Sequence, residues 1–146
     1  VVLDVWENEP EIDLELMSKT FLSTPHIAGY STDGKANGTS MIVNSLCREF
    51  GLPLKDWYPK EVPEPEGSVI EIECKGKSNQ EILNIAVSHT YNIYDDNIRL
   101  RFSPADFEKQ RGEYRVRREF PAFKVKLKGG NPDIKNLIKS MGFKVA

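Results

Sequence analysis

The chain has 146 residues, of which 39% are hydrophobic and 29% charged, and its formal net charge at pH 7 is -2. This composition is typical of a folded domain and excludes a disordered chain. The small net charge favours neither nucleic acid nor an anionic membrane as a partner, and no apolar run is long enough to span a membrane.

The two cysteines, Cys47 and Cys74, lie far apart, and each belongs to an apolar pattern. They predict neither a disulfide scaffold nor a zinc site, and we expect no metal. A reducing, cytoplasmic setting is the simplest interpretation. The chain opens on Val1-Val2-Leu3, without a signal peptide. This apolar run predicts a buried strand whose neighbouring strands precede the chain.

Residues 1–30 predict a short strand followed by irregular segments. Glu11 to Lys19 fit one or two turns of helix, with Leu14, Leu16 and Met17 on the apolar side. Residues 21–24 are expected to be extended, because the residue before a proline is biased away from the helical region.

A longer helix is predicted from about Thr32 to Phe50. Ser31 or Thr32 is suited to the N-cap, and Gly51 and Pro53 supply the stop. Apolar or small side chains recur at spacings of three and four, which predicts one apolar stripe: Ala36, Thr39, Val43, Leu46, Cys47 and Phe50. The proline-rich stretch from Trp57 to Gly67 predicts a semi-extended linker.

After the linker the pattern predicts strand, helix, helix, strand, helix, strand. The strands are expected at 68–74, 123–127 and 143–146, and the helices at 78–90, 104–110 and 131–141. Apolar and charged residues alternate in the first two strands, which indicates that one face is buried and the other is exposed to solvent. We therefore predict an α+β fold, a small sandwich with helices on one face of a short sheet.

The segment around His26 holds the strongest candidates for chemistry. Pro25 stiffens the backbone before the histidine and Gly29 frees it afterwards. Glu9 lies near enough in sequence to reach the imidazole, and a carboxylate beside a histidine is a common apparatus for general acid–base catalysis. A histidine bonded to a backbone carbonyl, without a catalytic role, is the alternative. Asp4 follows an apolar strand, where ligands often bind in α/β sheets.

Two blocks of residues resemble a known signature. Leu3-Asp4-Val5-Trp6-Glu7-x-Glu9-Pro10, followed by Thr24-Pro25-His26-Ile27-Ala28-Gly29, is similar to the end of the nucleotide-binding domain in the D-isomer-specific 2-hydroxyacid dehydrogenases. Phe107-Glu108-x-x-Arg111-x-x-Tyr114 and Arg117-Arg118-Glu119-Phe120 resemble a C-terminal domain found in one branch of that family.

The resemblance implies a role for each matching residue. His26 would exchange a proton with the 2-hydroxyl of the substrate while hydride passes to NAD, and Glu9 would orient His26. Asp4 would lie beside the nicotinamide, and Gly29 would let the backbone approach the cofactor. Tyr30 would contact the substrate, which would be a small phosphorylated hydroxy acid.

The resemblance also implies a division of the chain. Residues 1–30 would be the remnant of a Rossmann-type NAD-binding domain, 31–51 its connecting helix, 52–67 a linker and 68–146 a C-terminal dimerisation domain. A glycine-rich phosphate loop, G-x-G-x-x-G, is absent from these residues. We therefore expect the chain alone to be inactive and to mediate homodimer formation.

Several alternatives stay open. The chain could belong to another D-2-hydroxyacid dehydrogenase with an appended domain, or it could be a free-standing dimerisation or regulatory module. The arginines at 111, 115, 117 and 118 could bind a phosphate, although pairing with Glu108, Glu113 and Glu119 on a solvated face is favoured. Some apolar residues of the second half could form a partner surface: Tyr91, Ile93, Tyr94, Phe102 and Phe120.

Overall fold

Two small parallel sheets and six α-helices make up the computed structural model, which describes residues 1–146. The strands are β1 (Val2–Leu3), β2 (Leu22–Ser23), β3 (Val69–Glu73), β4 (Lys124–Lys128) and β5 (Lys144–Val145). The helices are α1 (Leu14–Lys19), α2 (Thr32–Glu49), α3 (Asn79–Thr90), α4 (Ile93–Phe102), α5 (Phe107–Gly112) and α6 (Pro132–Ser140). The predicted α+β class is confirmed. None of the helices has both the length and the hydrophobicity needed to cross a membrane.

The N-terminal part is a parallel pair of short strands joined through α1. Val2 is paired with Leu22, and the Asp13 side chain accepts hydrogen bonds from the first turn of α1. The predicted strand exists, and within this chain Val1 and Val2 are 82% and 56% exposed, so its burial by preceding strands stays a prediction. Met17 is buried as expected, whereas Leu14 and Leu16 are exposed.

Helix α2 begins and ends close to the predicted positions. The Ser31 hydroxyl is the N-cap and accepts a hydrogen bond from Gly34 N. Of the expected stripe, Ala36 and Cys47 are buried, whereas Thr39, Leu46 and Phe50 are exposed. Ser40 takes a buried place instead, so the buried face is rotated from the predicted one. After α2, residues 52–67 contain no helix or strand, and the side-chain amide of Asn44 donates to Trp57 O and accepts from Trp57 N.

The second sheet carries the larger core. Its strand order is β3-β4-β5, all parallel, with Ile70 opposite Val125. Helices α3 and α6 cover one face, and the other face carries ion pairs of Glu71 with Lys126 and Lys128. Side chains from the sheet and both helices form this core: Ile70, Ile72, Cys74, Ile82, Ala86, Phe123, Val125, Ile134, Ile138 and Phe143.

Helix α4 was not predicted from the sequence. Its inward face carries the polar residues Asp96 and Asn97 beside Leu100, so no apolar stripe marks the buried side of the helix. Leu100 and Phe107 are fully buried in a second core. They pack there with three residues from the start of the chain: Trp6, Ile12 and Met17. The second half therefore contributes directly to the structure around the candidate site.

Exposure of the predicted partner-surface residues divides them into two groups. Tyr94 and Phe102 are 51% and 89% exposed, whereas Tyr91, Ile93 and Phe120 are partly buried. Ile98, at 61%, lies between the exposed pair on the same face of α4. Residues four apart adjoin on a helix, so Tyr94, Ile98 and Phe102 form one apolar stripe, the α4 stripe.

Candidate active site

His26 and Glu9 form the centre of the site. Nδ1 of His26 donates a hydrogen bond to Oε2 of Glu9 at 2.9 Å. An ionised carboxylate only accepts, so the Nδ1 proton is fixed by this contact and Nε2 remains for another partner. The His26 side chain is 44% exposed and that of Glu9 17%. The imidazole is therefore oriented from one side and accessible to a molecule from outside the chain.

Glu9 is held in the ionised form by its neighbours. Burial by itself would raise the pKa of Glu9, but hydrogen bonds from the His26 ring and from Trp6 N–H outweigh it, and the pKa lies below the usual value. Trp6 N donates to Oε1 at 2.8 Å, which leaves Oε2 for the histidine. The pair thus meets the requirements for proton transfer near neutral pH, an oriented imidazole beside a fixed negative charge.

Asp4 fixes the loop that carries His26. Its carboxylate accepts hydrogen bonds from Thr24 Oγ1 at 2.7 Å, Ile27 N at 2.8 Å and Ala28 N at 3.0 Å. Burial would raise the pKa of Asp4, but these hydrogen bonds outweigh it and the pKa is lowered. Oδ2 accepts only the Ala28 bond, so it has a lone pair left for a further donor, such as the carboxamide of a nicotinamide.

His26 has an unusual backbone conformation. Its φ is +53°, in the left-handed region that non-glycine residues rarely adopt. Such a conformation costs about 1–3 kcal/mol and persists only where the surroundings impose it. Here Asp4 binds the N–H groups of the next two residues, and Arg117 binds their carbonyl groups. The loop is therefore clamped on both sides.

Gly29 and Tyr30 follow directly. A Cβ atom built on Gly29 would meet no atom within 4 Å, so nothing in this chain requires glycine there. That open space would admit a cofactor, and the role of Gly29 stays a prediction. The Tyr30 ring packs edge-on against Tyr114 at 5.8 Å, and Lys35 Nζ lies 4.0 Å from its centroid.

The four arginines do not share one environment. Arg111 pairs with Glu108 at 3.2 Å, the one predicted pairing that forms, but its side chain is only 24% exposed and does not lie on a solvated face. The others bind elsewhere: Arg115 to Asp95 and Asp96, Arg118 to Asp33, and Arg117 to the carbonyls of Ile27 and Ala28. Binding of a phosphate by one of them stays an alternative prediction.

Two residues of the site were not predicted as such. The Trp6 indole donates to Thr24 O at 2.9 Å and ties the Glu9 loop to the His26 segment. The only feature of the sequence that pointed to Trp6 was its position between Asp4 and Glu9. Arg117 lies 90 residues after Ile27, and no local pattern could have connected them.

The fold and the site define the class of the protein: an α+β chain with an oriented histidine–carboxylate pair. Comparisons with known proteins show its family. Residues 64–142 match the family described as "Domain of unknown function (DUF3410)", which is more than half of the chain. The chain belongs to this family.

Curated relatives are similar to nearly the whole chain. The erythronate-4-phosphate dehydrogenase of Marinobacter nauticus is 39% identical over 99% of the chain, and that of Hahella chejuensis 36% identical over all of it. The enzyme of the same name from Bacteroides thetaiotaomicron is 44% identical over 85% of the chain. The chain spans about 40%, 40% and 33% of the lengths of these relatives, in that order.

Proposed function

We propose that the chain is the C-terminal part of an NAD-dependent erythronate-4-phosphate dehydrogenase. The observation that carries the proposal is the His26–Glu9 contact, formed across seventeen residues in a chain similar to enzymes of that name. The reaction converts 4-phospho-D-erythronate to 2-oxo-3-hydroxy-4-phosphobutanoate. The parent would act in pyridoxal 5′-phosphate biosynthesis, as the resemblance implies.

Proton transfer is the part of the reaction that this chain would perform. Nε2 of His26 takes the proton of the substrate 2-hydroxyl while the C2–H bond breaks and the C2=O bond forms. Glu9 holds the ring and stabilises the positive charge that it acquires. Tyr30 would contact the substrate beside the histidine. NAD, when bound, supplies the hydride acceptor.

The residues present fit only the nicotinamide end of the cofactor. The free lone pair of Asp4 Oδ2 suits the carboxamide, and the open space at Gly29 suits close approach to the backbone. None of these residues forms a glycine-rich phosphate loop. The 146-residue chain should therefore be inactive, and the activity is tested on the full-length parent.

The decisive experiment follows NADH formation by the parent with 4-phosphoerythronate, beside a His26→Gln variant. We expect turnover to fall by about 10²- to 10⁴-fold, the usual contribution of a general base. His89→Gln is the matched control, because this second histidine bonds only to Gly67 O of the backbone. Unchanged turnover in His26→Gln would remove the histidine from the mechanism.

Substrate choice separates the alternatives. A preference for D-lactate or D-glycerate over the phosphorylated acid would indicate another D-2-hydroxyacid dehydrogenase with an appended domain. An absence of dehydrogenase activity in the parent would leave the free-standing dimerisation or regulatory module.

We also propose that the parent forms a homodimer through the α4 stripe. Tyr94, Ile98 and Phe102 are exposed although the domain already has a complete core, and an apolar surface of this kind is typical of a partner contact. Phe102→Lys should convert the dimer to a monomer in sedimentation velocity. Met41→Lys, at a residue 71% exposed on α2, should not. A monomeric wild-type parent at high concentration would contradict the pairing.

A further inference from the structure

We propose that Arg117 is a positioning residue for His26, through which the C-terminal part of the chain fixes the backbone of the histidine loop. The catalytic consequence rests on the proposed function, whereas the structural consequence does not. Arg117 touches no reacting atom, and it acts through the peptide groups that follow the histidine.

The contacts are direct and paired. Nη2 of Arg117 donates to Ile27 O at 2.9 Å and to Ala28 O at 2.8 Å. The N–H groups of the same two residues donate to Asp4. Ile27 and Ala28 are therefore bound through all four of their backbone polar groups, with an anion on one side and a cation on the other. A charged partner makes each of these bonds stronger than a neutral one.

The loop needs such a clamp. His26 holds a positive φ, and Ala28 and Gly29 are exposed, so side-chain packing contributes little after Ile27. Apart from Arg117, the only donor to Ile27 O is Tyr30 N at 3.0 Å. Loss of the guanidinium would leave Ala28 O to solvent and Ile27 O with the Tyr30 bond alone, and it would free the backbone that sets the direction of the imidazole. A misplacement of about 1 Å in a catalytic group costs about 10²-fold in rate.

Arg117 is itself held in place by a polar and aromatic network. Its Nη1 donates to Tyr114 OH at 3.3 Å, and its guanidinium lies 4.6 Å from the centroid of the Tyr91 ring. Tyr114 OH donates to the buried Asp96 at 2.7 Å. Burial and the Asp96 carboxylate raise the pKa of Tyr114 to about 12, so the phenol keeps its proton and remains a donor. The guanidinium cannot swing away without breaking this network.

The neighbouring Arg118 provides a matched control. Its guanidinium binds both carboxylate oxygens of Asp33 on α2, at 2.9 and 3.0 Å, and it also donates to Pro63 O. It ties the same segment to the first half of the chain without touching the histidine loop. Arg118→Gln therefore weakens docking in general, whereas Arg117→Met removes the clamp on the loop.

The first measurement is amide hydrogen exchange in the full-length parent. Arg117→Met should speed exchange at Ile27, Ala28 and Tyr30 by at least about tenfold, since local opening sets these rates. Amides of the second sheet, such as Ile72, should be unchanged. Arg117→Lys, which keeps a charge but not the fork, should give an intermediate value. Equal exchange in Arg117→Met and wild type, or an equal increase in Arg118→Gln, would overturn the proposal.

The second measurement is turnover of 4-phosphoerythronate. Arg117→Met should lower kcat by about 10²-fold, with the KM for NAD changed by less than about threefold, because only the nicotinamide end of the cofactor would meet this loop. A rise of about 10²-fold in the KM for NAD, at unchanged kcat, would overturn the positioning role. If the wild-type parent does not oxidise this substrate, the proposed function fails by itself, and the exchange measurement still decides whether Arg117 holds the loop.

Discussion

Asp4 and Arg117 bind opposite sides of the same two peptide units, although they lie at distant positions in the sequence. The carboxylate takes the N–H groups of Ile27 and Ala28, and the guanidinium takes their carbonyl groups. The loop after His26 is consequently held both by Asp4, directly after β1, and by Arg117, in the segment that follows α5.

Asp4→Asn should destabilise the chain. The amide keeps the shape of the side chain but loses the charge that accepts three hydrogen bonds, two of them from backbone N–H groups. Hydrogen bonds to a charged group are worth about 1.5–3 kcal/mol each, so we expect a loss of about 1–3 kcal/mol in the free energy of unfolding. Urea unfolding at pH 7 measures it, with the exposed Glu11→Gln as the control. A loss no larger than in the control would show that Asp4 does not hold the loop.

Glu9→Gln should impair catalysis in the parent more than it impairs folding. The amide can donate to Nδ1 as well as accept from it, so the tautomer of His26 is no longer fixed, and the negative charge beside the ring is lost. We expect kcat/KM to fall by about 10²-fold. Steady-state kinetics beside Glu7→Gln, whose carboxylate is exposed, makes the comparison. Wild-type kinetics in Glu9→Gln would contradict the orienting role.

Acid should unfold the chain partly through Asp33. Burial would raise the pKa of this carboxyl, but hydrogen bonds from the Arg118 guanidinium and from Glu119 N outweigh it, and the pKa is lowered. A lowered folded-state pKa contributes stability that is present above the unfolded value of about 4 and is lost as the pH falls through the folded value. Asp4 and Glu9 act in the same direction.

The free energy of unfolding should therefore decline below about pH 4, and Asp33→Asn should decline less steeply there than wild type. Denaturant titrations from pH 6 to pH 2 measure both slopes. Parallel curves for the two proteins would mean that the Asp33–Arg118 pair contributes nothing to acid sensitivity.

Ile138→Ala should be strongly destabilising, because this side chain is fully buried between α6 and the second sheet. Removal of buried methylene groups from a core costs about 2–5 kcal/mol. Leu137→Ala is the control on the same helix, since Leu137 is 38% exposed and should cost about 1 kcal/mol or less. Thermal or urea unfolding measures the loss of stability in each variant. Similar losses in the two variants would show that Ile138 does not face the core.

The sequence predicts the elements whose side chains follow a regular period. β3 and β4 alternate, α6 begins at Asn131 and Pro132, and α3 begins at a capping box formed by Ser78 and Glu81. The buried face of helix α4 has no such apolar period because Asp96 and Asn97 face inward. Besides Arg99 and Arg101 on the same helix, Tyr114 donates to Asp96 and the N–H of Ser23 donates to Asn97, and these two partners lie outside α4.

The residues of the candidate site also fall into those that the sequence predicts and those that it does not. The His26–Glu9 contact could be expected from chemistry and proximity, and the structure brings the two side chains together. Arg117 could not be expected, because its partners are backbone carbonyls and carry no side-chain signal. The roles of Asp4, Gly29 and Tyr30 toward cofactor and substrate remain predictions from the resemblance.

Leu100 and Phe107 pack against Trp6, Ile12 and Met17, and Arg101 donates to the carbonyls of Met17 and Thr20. These contacts join regions on either side of the linker. A protease that cuts between Trp57 and Gly67 should therefore leave two pieces that stay associated and copurify, and the nicked protein should separate only in denaturant.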